Sequence, residues 1–290
     1  MPRGSERPED ERLSDFLFQQ VDVFSARSLG GNPLAVVVGA DALDDAQMAA
    51  FARWTNLSET TFLLQPRAGE ADYRVRIFTP TQELPFAGHP TLGTCHVWLA
   101  SGGRPRGEEI IQECAAGLVR VRPESGRLAF AAPPLRRAGP LEAEVMARVM
   151  AGLGLAPDAW VDANWVDNGP GWLAVLLRSR EAVLALRPDY AAIAGMRVGV
   201  VGPWVPEKDG DDAQFEVRAF TAAGYEDPVT GSLNAGLAQW LIGSGIAPPA
   251  YIASQGTALG RTGRVHVLQD GTGLWIGGAV TTCIAGRVTL

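Results

Sequence analysis

The feature that most constrains this chain is a sequence phrase that occurs twice. RIFTPTQELPFAGHPTLGTCHVWL occupies positions 76–99, and RAFTAAGYEDPVTGSLNAGLAQWL occupies positions 218–241. When the two segments are aligned without a gap, at an offset of 142 residues, several residues of the first fall on identical residues of the second. Among them are Arg76 on Arg218, Phe78 on Phe220, Thr79 on Thr221 and Trp98 on Trp240. Tryptophan occurs only eight times in the 290 residues. The repeat therefore predicts a duplicated fold.

Each copy of the phrase is typical of a strand, a loop and a helix. A slip of one residue in the loop superposes Gly88 on Gly231, and the two helices are expected to begin near Thr91 and Ser232. The flanking sequence repeats short alternating or apolar runs between turn-rich segments, which indicates further strands. We predict an α+β fold of two pseudo-symmetric domains. Each domain is expected to be a curled, barrel-like β-sheet around a central helix.

The expected boundary between the domains lies at a pair of prolines, Pro133 and Pro134, because proline interrupts strand pairing. The N-terminal α+β domain is predicted to span residues 1–132, with residues 1–14 as a flexible polar tail. The C-terminal α+β domain is predicted to span residues 133–290. Its last strand is a candidate to pack back on the first domain.

Charge and hydropathy exclude several kinds of partner. The formal net charge is −7, and no basic run is present, which argues against binding of nucleic acid or an anionic membrane. No apolar run approaches the ~18 residues that suggest a membrane span. The polar N-terminus is unlike a signal peptide, so the expected location is the cytoplasm.

Residue usage also argues against a cofactor or a metal. Lys208, in the polar loop EKDGDD, is the one lysine, which leaves Schiff-base chemistry with a poor candidate. Neither a phosphate-binding loop nor a dinucleotide-binding GxGxxG is present. The three cysteines, Cys95, Cys114 and Cys283, lack metal-type spacing and are odd in number. We expect no cofactor and no metal.

The two loops that precede the repeated helices form a predicted anion site. Pro90 suits the first turn of the first helix, and Thr230 and Ser232 are residue types that favour the N-cap of the second. Two helix N-termini that meet at a domain cleft place unpaired N–H groups and positive dipole ends around one point. The loop N–H groups of Gly88 and Gly231 are therefore expected to bind a small carboxylate substrate.

Four side chains can reach the same cleft. Glu59 follows Ser58 at the mouth of the apolar strand TTFLL, where loss of solvation would raise its pKa toward the range of a general base. His89, Asp227 and Ser232 lie in the two loops. Each also has a purely structural interpretation. Ser58 and Glu59 could simply begin a strand, and His89 could bond a backbone carbonyl. Asp227 could form a turn with Pro228, and Ser232 could cap the helix. One acid, one imidazole and an anion site together favour proton abstraction beside a carboxylate.

Six blocks of sequence resemble a known family. They are GNPLAVV at 31–37, LSETTFL at 57–63, FTPTQELPFAGHPTLG at 78–93, EDPVTGS at 226–232, QGTALGR at 255–261 and WIGG at 275–278. Together they resemble the PhzF-like phenazine-biosynthesis isomerases, which have the diaminopimelate epimerase-like fold. Ala222 departs from the pattern, since a proline like Pro80 is typical there.

The resemblance implies a function for the cleft. Glu59 would be the general acid/base that moves a proton on a cyclic hydroxy-amino acid, as in trans-2,3-dihydro-3-hydroxyanthranilate isomerase, without cofactor or metal. His89, Asp227 and Ser232, with the N–H groups of Gly88 and Gly231 and with Ser58 beside Glu59, would bind the substrate. Members tend to be homodimers.

Other functions remain open from the sequence. An amino-acid racemase or epimerase of this fold works with two opposed thiols, whereas Ala87 and Pro228 occupy the approximate positions here. A hydrolase could combine Ser232, His89 and Asp227, although no GxSxG is present. A relative without catalysis could keep the cleft to bind a small molecule.

Overall fold

The computed structural model describes residues 14–156 and 158–290, and its strands and helices fall into two series. The first series comprises β1 (Asp15–Val23), β2 (Asn32–Val38), α1 (Asp45–Thr55), β3 (Glu59–Leu64), β4 (Tyr73–Phe78), β5 (Glu83–Leu84), α2 (Gly88–Ala100), β6 (Ile110–Cys114), β7 (Gly117–Glu124) and β8 (Arg127–Ala131).

The second series runs to the C-terminus. It comprises β9 (Arg137–Pro140), α3 (Ala143–Leu153), β10 (Trp160–Asp167), β11 (Trp172–Leu177), α4 (Arg180–Ala185), β12 (Arg197–Pro203), α5 (Pro206–Asp209), β13 (Phe215–Phe220), β14 (Glu226–Asp227), α6 (Gly231–Gly243), β15 (Ala250–Gln255), β16 (Gly263–Asp270), β17 (Gly273–Gly278) and β18 (Val280–Thr289).

The two series pair their strands in the same order. From one edge the first sheet runs β18-β1-β2-β3-β4-β6-β7-β8. The second runs β9-β10-β11-β12-β13-β15-β16-β17. In both sheets the third and fifth pairings are parallel and the others antiparallel. The predicted duplication is confirmed, because this mixed pattern is the same in both halves.

Two strand contacts connect the halves. β8 pairs with β17, which joins the two sheets edge to edge. β18 pairs along its length with β1, so the C-terminal strand completes the first sheet. In the second sheet the corresponding position belongs to β9, which pairs with β10. The assignment of the domain boundary to residues 132 and 133 remains a prediction.

One long helix lies inside each curled sheet. α2 contacts β1, β2, β3, β4, β8 and β18, and α6 contacts β10, β11, β16 and β17. Both helices bury residues on nearly every side, as a helix enclosed by a sheet must. Leu92, Cys95, Leu233 and Leu237 belong to one core that extends through both halves. Among the helices in the described ranges, none is long and apolar enough to cross a membrane.

The outer helix α1 shows how local sequence sets an element. Asp44 accepts a hydrogen bond from the Gln47 N–H and the Gln47 side chain bonds back to Asp44, which forms a capping box. Met48, Phe51 and Ala52 are its buried residues. The segment DDAQMAAFARWTN by itself predicts this helix, with Asp44 as its N-cap and Met48, Phe51 and Ala52 on one face, and the structure confirms both features.

The ungapped frame of the repeat is correct for the strands and wrong for the helices. β4 and β13 begin at Tyr73 and Phe215, 142 residues apart, whereas α2 and α6 begin at Gly88 and Gly231, 143 apart. The extra residue lies in the second loop. Trp98 and Trp240, which the ungapped frame equates, therefore occupy adjacent rather than equivalent positions of the two helices.

The repeated arginine holds the hairpin that leads into each loop. Arg76 makes a bidentate pair with Glu83, and Arg218 makes the same pair with Glu226. The first pair lies near the surface, whereas both side chains of the second are 6% exposed. Arg218 also donates to two carbonyl oxygens of α4 and its C-cap, so it fixes the position of that helix.

We predict that Arg218→Met lowers the free energy of unfolding by about 3–5 kcal/mol, because it leaves the Glu226 carboxylate buried without a partner. The equivalent change in the first half, Arg76→Met, is the matched control and should cost about 1 kcal/mol or less, since its partners are solvated. Urea unfolding of both variants measures the difference. Equal losses would contradict the assignment of Arg218–Glu226 as the buried pair.

Candidate active site

The N-termini of the two enclosed helices meet in direct backbone contact. A Cβ on Gly231 would lie 3.1 Å from the Gly88 Cα and 3.4 Å from the His89 nitrogen. A Cβ on Gly88 would lie 2.8 Å from the ring of Phe130. A side chain at either position would crowd the contact between the helix starts, and at Gly88 it would also overlap Phe130. The predicted meeting of the two loops is present in the structure.

The first turns of these helices leave N–H groups free. Among the described residues, no protein acceptor receives the backbone N–H of Gly88, His89, Gly231 or Ser232. Neither helix has a side-chain cap. Two aligned sets of unpaired N–H groups, each at the positive end of a helix dipole, favour an anion at this point.

Two details of the expected helix starts are wrong. α2 begins at Gly88 rather than near Thr91, with Pro90 inside its first turn. Thr230 is the N-cap residue of α6, but its hydroxyl donates to the Asp227 carboxylate instead of accepting from the helix. A buried carboxylate competes better for this hydroxyl than an N–H group does, because bonds to charged groups are the stronger ones.

Glu59 is the first residue of β3 and lies beside Leu34 of β2. Its side chain is 17% exposed, and its Oε2 lies 3.4 Å from Nε2 of His89. Among residues 14–156 and 158–290, neither of these two atoms has a hydrogen-bond partner. Burial, followed by the nearby charge of Asp227, raises the pKa of Glu59 to about 8. Both protonation states of this carboxyl are therefore accessible near neutral pH.

His89 is a neutral imidazole in this environment. Only 5% of the residue is exposed, and burial lowers its pKa to about 3 against the opposing effect of a hydrogen bond with the Pro33 backbone. The amide Nδ2 of Asn32 lies 3.5 Å from its Nδ1. A neutral ring offers one acceptor nitrogen, and the unpartnered Nε2 faces Glu59.

Asp227 lies across the cleft from Glu59 on the second hairpin. Its Oδ1 accepts from Asn32 Nδ2 at 3.1 Å, and its Oδ2 accepts from the Thr230 hydroxyl. Burial raises the pKa of Asp227 to about 6, while the hydrogen bonds from Thr230 and Asn32 act in the opposite direction. In the first half, the residue at the equivalent hairpin position is Leu84, so the cleft has one loop carboxylate rather than two.

Asn32 connects the two halves and was not identified from the sequence. It is fully buried, and its Nδ2 contacts Asp227 and the Val229 carbonyl in the second half. Its Oδ1 has no partner. The sequence signal for Asn32 is a polar residue that directly precedes the run PLAVV in the block GNPLAVV.

Two buried glutamines, one behind each helix start, were also missed. Gln255, at the end of β15, bonds both Thr230, the N-cap of α6, and Asn234 within that helix. In the first half Gln112 of β6 bonds Thr91 of α2 in a similar way. Each helix start is thus held by a glutamine from a neighbouring strand. Gln255 opens the block QGTALGR, but neither glutamine shows its partners in the sequence, because only the fold brings them close.

The two serines of the predicted site differ in their surroundings. Ser58 directly precedes Glu59 and is partly buried. Ser232 occupies the position of α6 that His89 occupies in α2, and its Oγ accepts from Trp172 Nε1 at 3.0 Å. Within the described ranges no hydrogen bond joins Ser232 to His89, or His89 to Asp227. A hydrolase triad is not formed.

Tyr225 lies at the edge of the cleft and was not predicted. The antiparallel hairpin pairs Asp227 with Ala219 and continues through hydrogen bonds between Tyr225 and Thr221. Tyr225 directly precedes the two-residue strand β14 and is 47% exposed. Burial of its inner part, followed by the charges of Asp227 and Glu59, raises its pKa.

The cysteines lie outside this cluster. Cys95 is completely buried in α2, and burial raises the pKa of its thiol to about 12. Cys114 lies at the end of β6 and Cys283 in β18. No described residues form a group of three His, Cys, Asp or Glu side chains that could hold a metal ion.

Comparison with known proteins agrees with this architecture. The sequence model of the PhzC-PhzF family, described as phenazine biosynthesis-like protein, matches residues 21–283. Antisense-enhancing sequence 1 of Schizosaccharomyces pombe is 36% identical, over 95% of this chain and 99% of that protein. Trans-2,3-dihydro-3-hydroxyanthranilate isomerase of Pseudomonas fluorescens is 33% identical, over 87% of this chain and 89% of that protein.

A solved structure shows the same fold. A phenazine biosynthesis protein of the PhzF family from Enterococcus faecalis superposes with a TM-score of 0.79 at 26% identity. The match covers 96% of this chain and 100% of the other. The predicted α+β, diaminopimelate epimerase-like fold is confirmed.

We predict that Glu59→Gln stabilises the folded protein, and that the gain increases with pH. A carboxyl whose pKa rises from its ordinary value of 4.5 to about 8 on folding destabilises the fold progressively as pH rises through that window. The Tm of the variant should therefore exceed that of the wild type more at pH 9 than at pH 5. The exposed Glu108→Gln is the control, and a pH-independent difference for Glu59→Gln would contradict the raised pKa.

Proposed function

Since this chain belongs to the PhzC-PhzF family of phenazine biosynthesis-like proteins and is an isomerase of that family, we propose that it moves a proton within a small cyclic or amino carboxylic acid. The proposed reaction needs no cofactor, because one side chain, Glu59, serves as both general base and general acid. The relative from Pseudomonas fluorescens is named for a substrate of this kind, trans-2,3-dihydro-3-hydroxyanthranilate.

The observation that carries this proposal is the environment of Glu59. Its Oε2 accepts no hydrogen bond from the part of the chain that the structure describes, and it lies 3.4 Å from Nε2 of a neutral His89. A residue that takes a proton in one step and returns it in the next works best with a pKa near the working pH. The pKa of about 8 meets this condition.

The proposed steps follow from the positions of the groups. The substrate carboxylate binds the free N–H groups at the starts of α2 and α6, which holds the rest of the molecule near Glu59. In its ionised form Glu59 removes a proton from a saturated carbon of the substrate, and the electron pair of that C–H bond enters the adjoining unsaturated system. The protonated Glu59 then returns the proton to a different carbon of that system. The product has the mass of the substrate, because one C–H bond has broken, one has formed and the double bonds have moved.

Two alternative functions, a two-thiol racemase and a non-catalytic binding protein, make different demands on the site. A two-thiol racemase lacks its reacting groups, because Cys95, Cys114 and Cys283 all lie away from the helix starts. The residue just before α2 is Ala87 and the residue just before α6 is Thr230, which corrects the alignment of Ala87 with Pro228. A non-catalytic binding protein would retain the anion site. It would bind carboxylates without exchanging a carbon-bound proton with solvent.

The proposal extends to the substrate class, the cellular location and the oligomeric state of the protein. The acidic charge favours a small-molecule substrate over nucleic acid or a membrane surface. We expect a cytoplasmic homodimer without cofactor or metal. Light scattering of the purified protein measures the oligomeric state.

We predict that Glu59→Gln lowers turnover by about 10²–10⁴-fold, because the amide keeps the shape of the carboxyl but cannot take up a proton. The probe is trans-2,3-dihydro-3-hydroxyanthranilate in deuterated water, followed by NMR for isomerisation and deuterium incorporation. Ligand binding by the variant should persist. Wild-type turnover in Glu59→Gln would end the proposal.

A second prediction concerns the anion site. Gly231→Asp should abolish binding of the same carboxylate, since it adds a negative charge where the helix N–H groups converge and crowds the contact with Gly88. Gly231→Asn adds similar bulk without charge and should bind more tightly than Gly231→Asp. Calorimetric titration compares the two variants. Equal affinities would show that steric crowding alone acts here, and normal binding by both would place the anion site elsewhere.

A further inference from the structure

A chain of buried hydrogen bonds behind the second loop has a fixed direction. Its first member is Gln255, which is completely buried. The Oε1 of this amide accepts from the backbone N–H of Thr230 at 3.1 Å, and its Nε2 donates to the backbone carbonyl of Asp227 at 3.2 Å. A backbone N–H can only donate and a carbonyl can only accept. The orientation of the Gln255 amide is therefore determined.

The amide in turn orients a hydroxyl. Gln255 Nε2 also donates to Thr230 Oγ1 at 2.9 Å. Since that nitrogen is a donor, the hydroxyl hydrogen must point elsewhere, and Oδ2 of Asp227 is its acceptor. The Gln255 amide thus donates a hydrogen bond to the Thr230 hydroxyl, and this hydroxyl donates one to the Asp227 carboxylate.

The other oxygen of Asp227 also faces a fixed donor. Asn32 Nδ2 donates to the Val229 carbonyl at 2.9 Å, which fixes the orientation of this second amide. The same nitrogen donates to Asp227 Oδ1 at 3.1 Å. Both oxygens of Asp227 thus face donors that cannot reverse. A hydrogen bond donated to each oxygen favours the ionised form of Asp227, because protonation would weaken these bonds.

We propose that Gln255 is a positioning residue that acts through Thr230 to keep Asp227 ionised, so that the proton shared by the two carboxyls of the resting site lies on Glu59. Glu59 is suited to hold that proton because its Oε2 accepts no hydrogen bond from the described residues. The inference deepens the proposed function, on which its catalytic meaning rests. It assigns Asp227 as a fixed negative charge that binds or stabilises a cationic or donor group of the substrate.

The groups around Asp227 agree with this assignment. Glu59 and His89 approach from the first half, and Tyr225 and Glu226 precede Asp227 on its own strand. Glu226 is paired with Arg218 on the opposite face, and His89 is neutral. No cation among these groups neutralises Asp227, so its ionisation depends on the donors Thr230 and Asn32.

The test is an NMR titration of the full-length protein without substrate, with ¹³C at the side-chain carboxyl of aspartate. Asp227→Asn assigns the signal. Gln255→Leu should raise the pKa of Asp227 by about one unit or more, because the Thr230 hydroxyl is no longer held toward it. The matched control is Gln112→Leu, which removes the corresponding buried glutamine behind α2 and should leave the titration of Asp227 unchanged.

A second pair of variants tests the same chain at Thr230 and covers the case in which Gln255→Leu does not fold. Thr230→Val removes the hydroxyl with little change in shape and should raise the pKa of Asp227, whereas Thr230→Ser keeps the donor and should restore it. If Gln255 acts through Thr230, the double variant Gln255→Leu/Thr230→Val should shift the pKa no further than Thr230→Val alone.

An unchanged titration of Asp227 in folded Gln255→Leu or Thr230→Val would overturn the proposal, as would an equal shift in Gln112→Leu. Failure of the proposed function looks different. In that case the titration shifts as expected, but Glu59→Gln keeps its turnover. The two outcomes are measured on separate samples, one without substrate and one with it.

Discussion

The architecture depends on the contact between two glycines at the starts of the enclosed helices. A Cβ on either Gly88 or Gly231 would lie only 3.1 Å from the Cα of the other, tighter than ordinary contact. This contact brings two sets of free N–H groups to one point and sets the distance across which the loop side chains face each other. Because each helix is enclosed by its own sheet, the position of its first turn is fixed by the whole domain.

The duplication explains the architecture that the two halves share, and the differences between the halves explain which reactive groups face the cleft. The two hairpins carry the same Arg–Glu pair, and each helix start is held by a buried glutamine. The residues that face the cleft differ, however. His89 stands where the second half has Ser232, and Leu84 stands where it has Asp227. A symmetric site would present two equivalent groups, as two opposed bases require. Here the two carboxyls are not related by the symmetry, since Asp227 comes from the second hairpin and Glu59 from the start of β3.

Electrostatics separates the roles of the two buried carboxyls. Both lose solvation, which raises the pKa of each. Asp227 recovers part of that loss through hydrogen bonds to both oxygens, whereas Oε2 of Glu59 accepts none from the described residues. Two nearby carboxyls that cannot both ionise easily place their shared proton on the one with fewer donors. Hydrogen bonding rather than burial thus distinguishes the two residues.

The sequence alone determined the elements and the candidates. Periodicity and the cap at Asp44 predicted α1, the repeat predicted two similar halves, and the loop residues Glu59, His89 and Asp227 followed from chemistry and resemblance. Only the tertiary structure revealed Asn32 and Gln255, the one-residue difference between strand and helix offsets, and the use of Thr230 as a donor to Asp227. The reason is physical. Periodicity and capping depend on residues a few positions apart, whereas a buried amide acquires its role from partners that folding brings from distant segments.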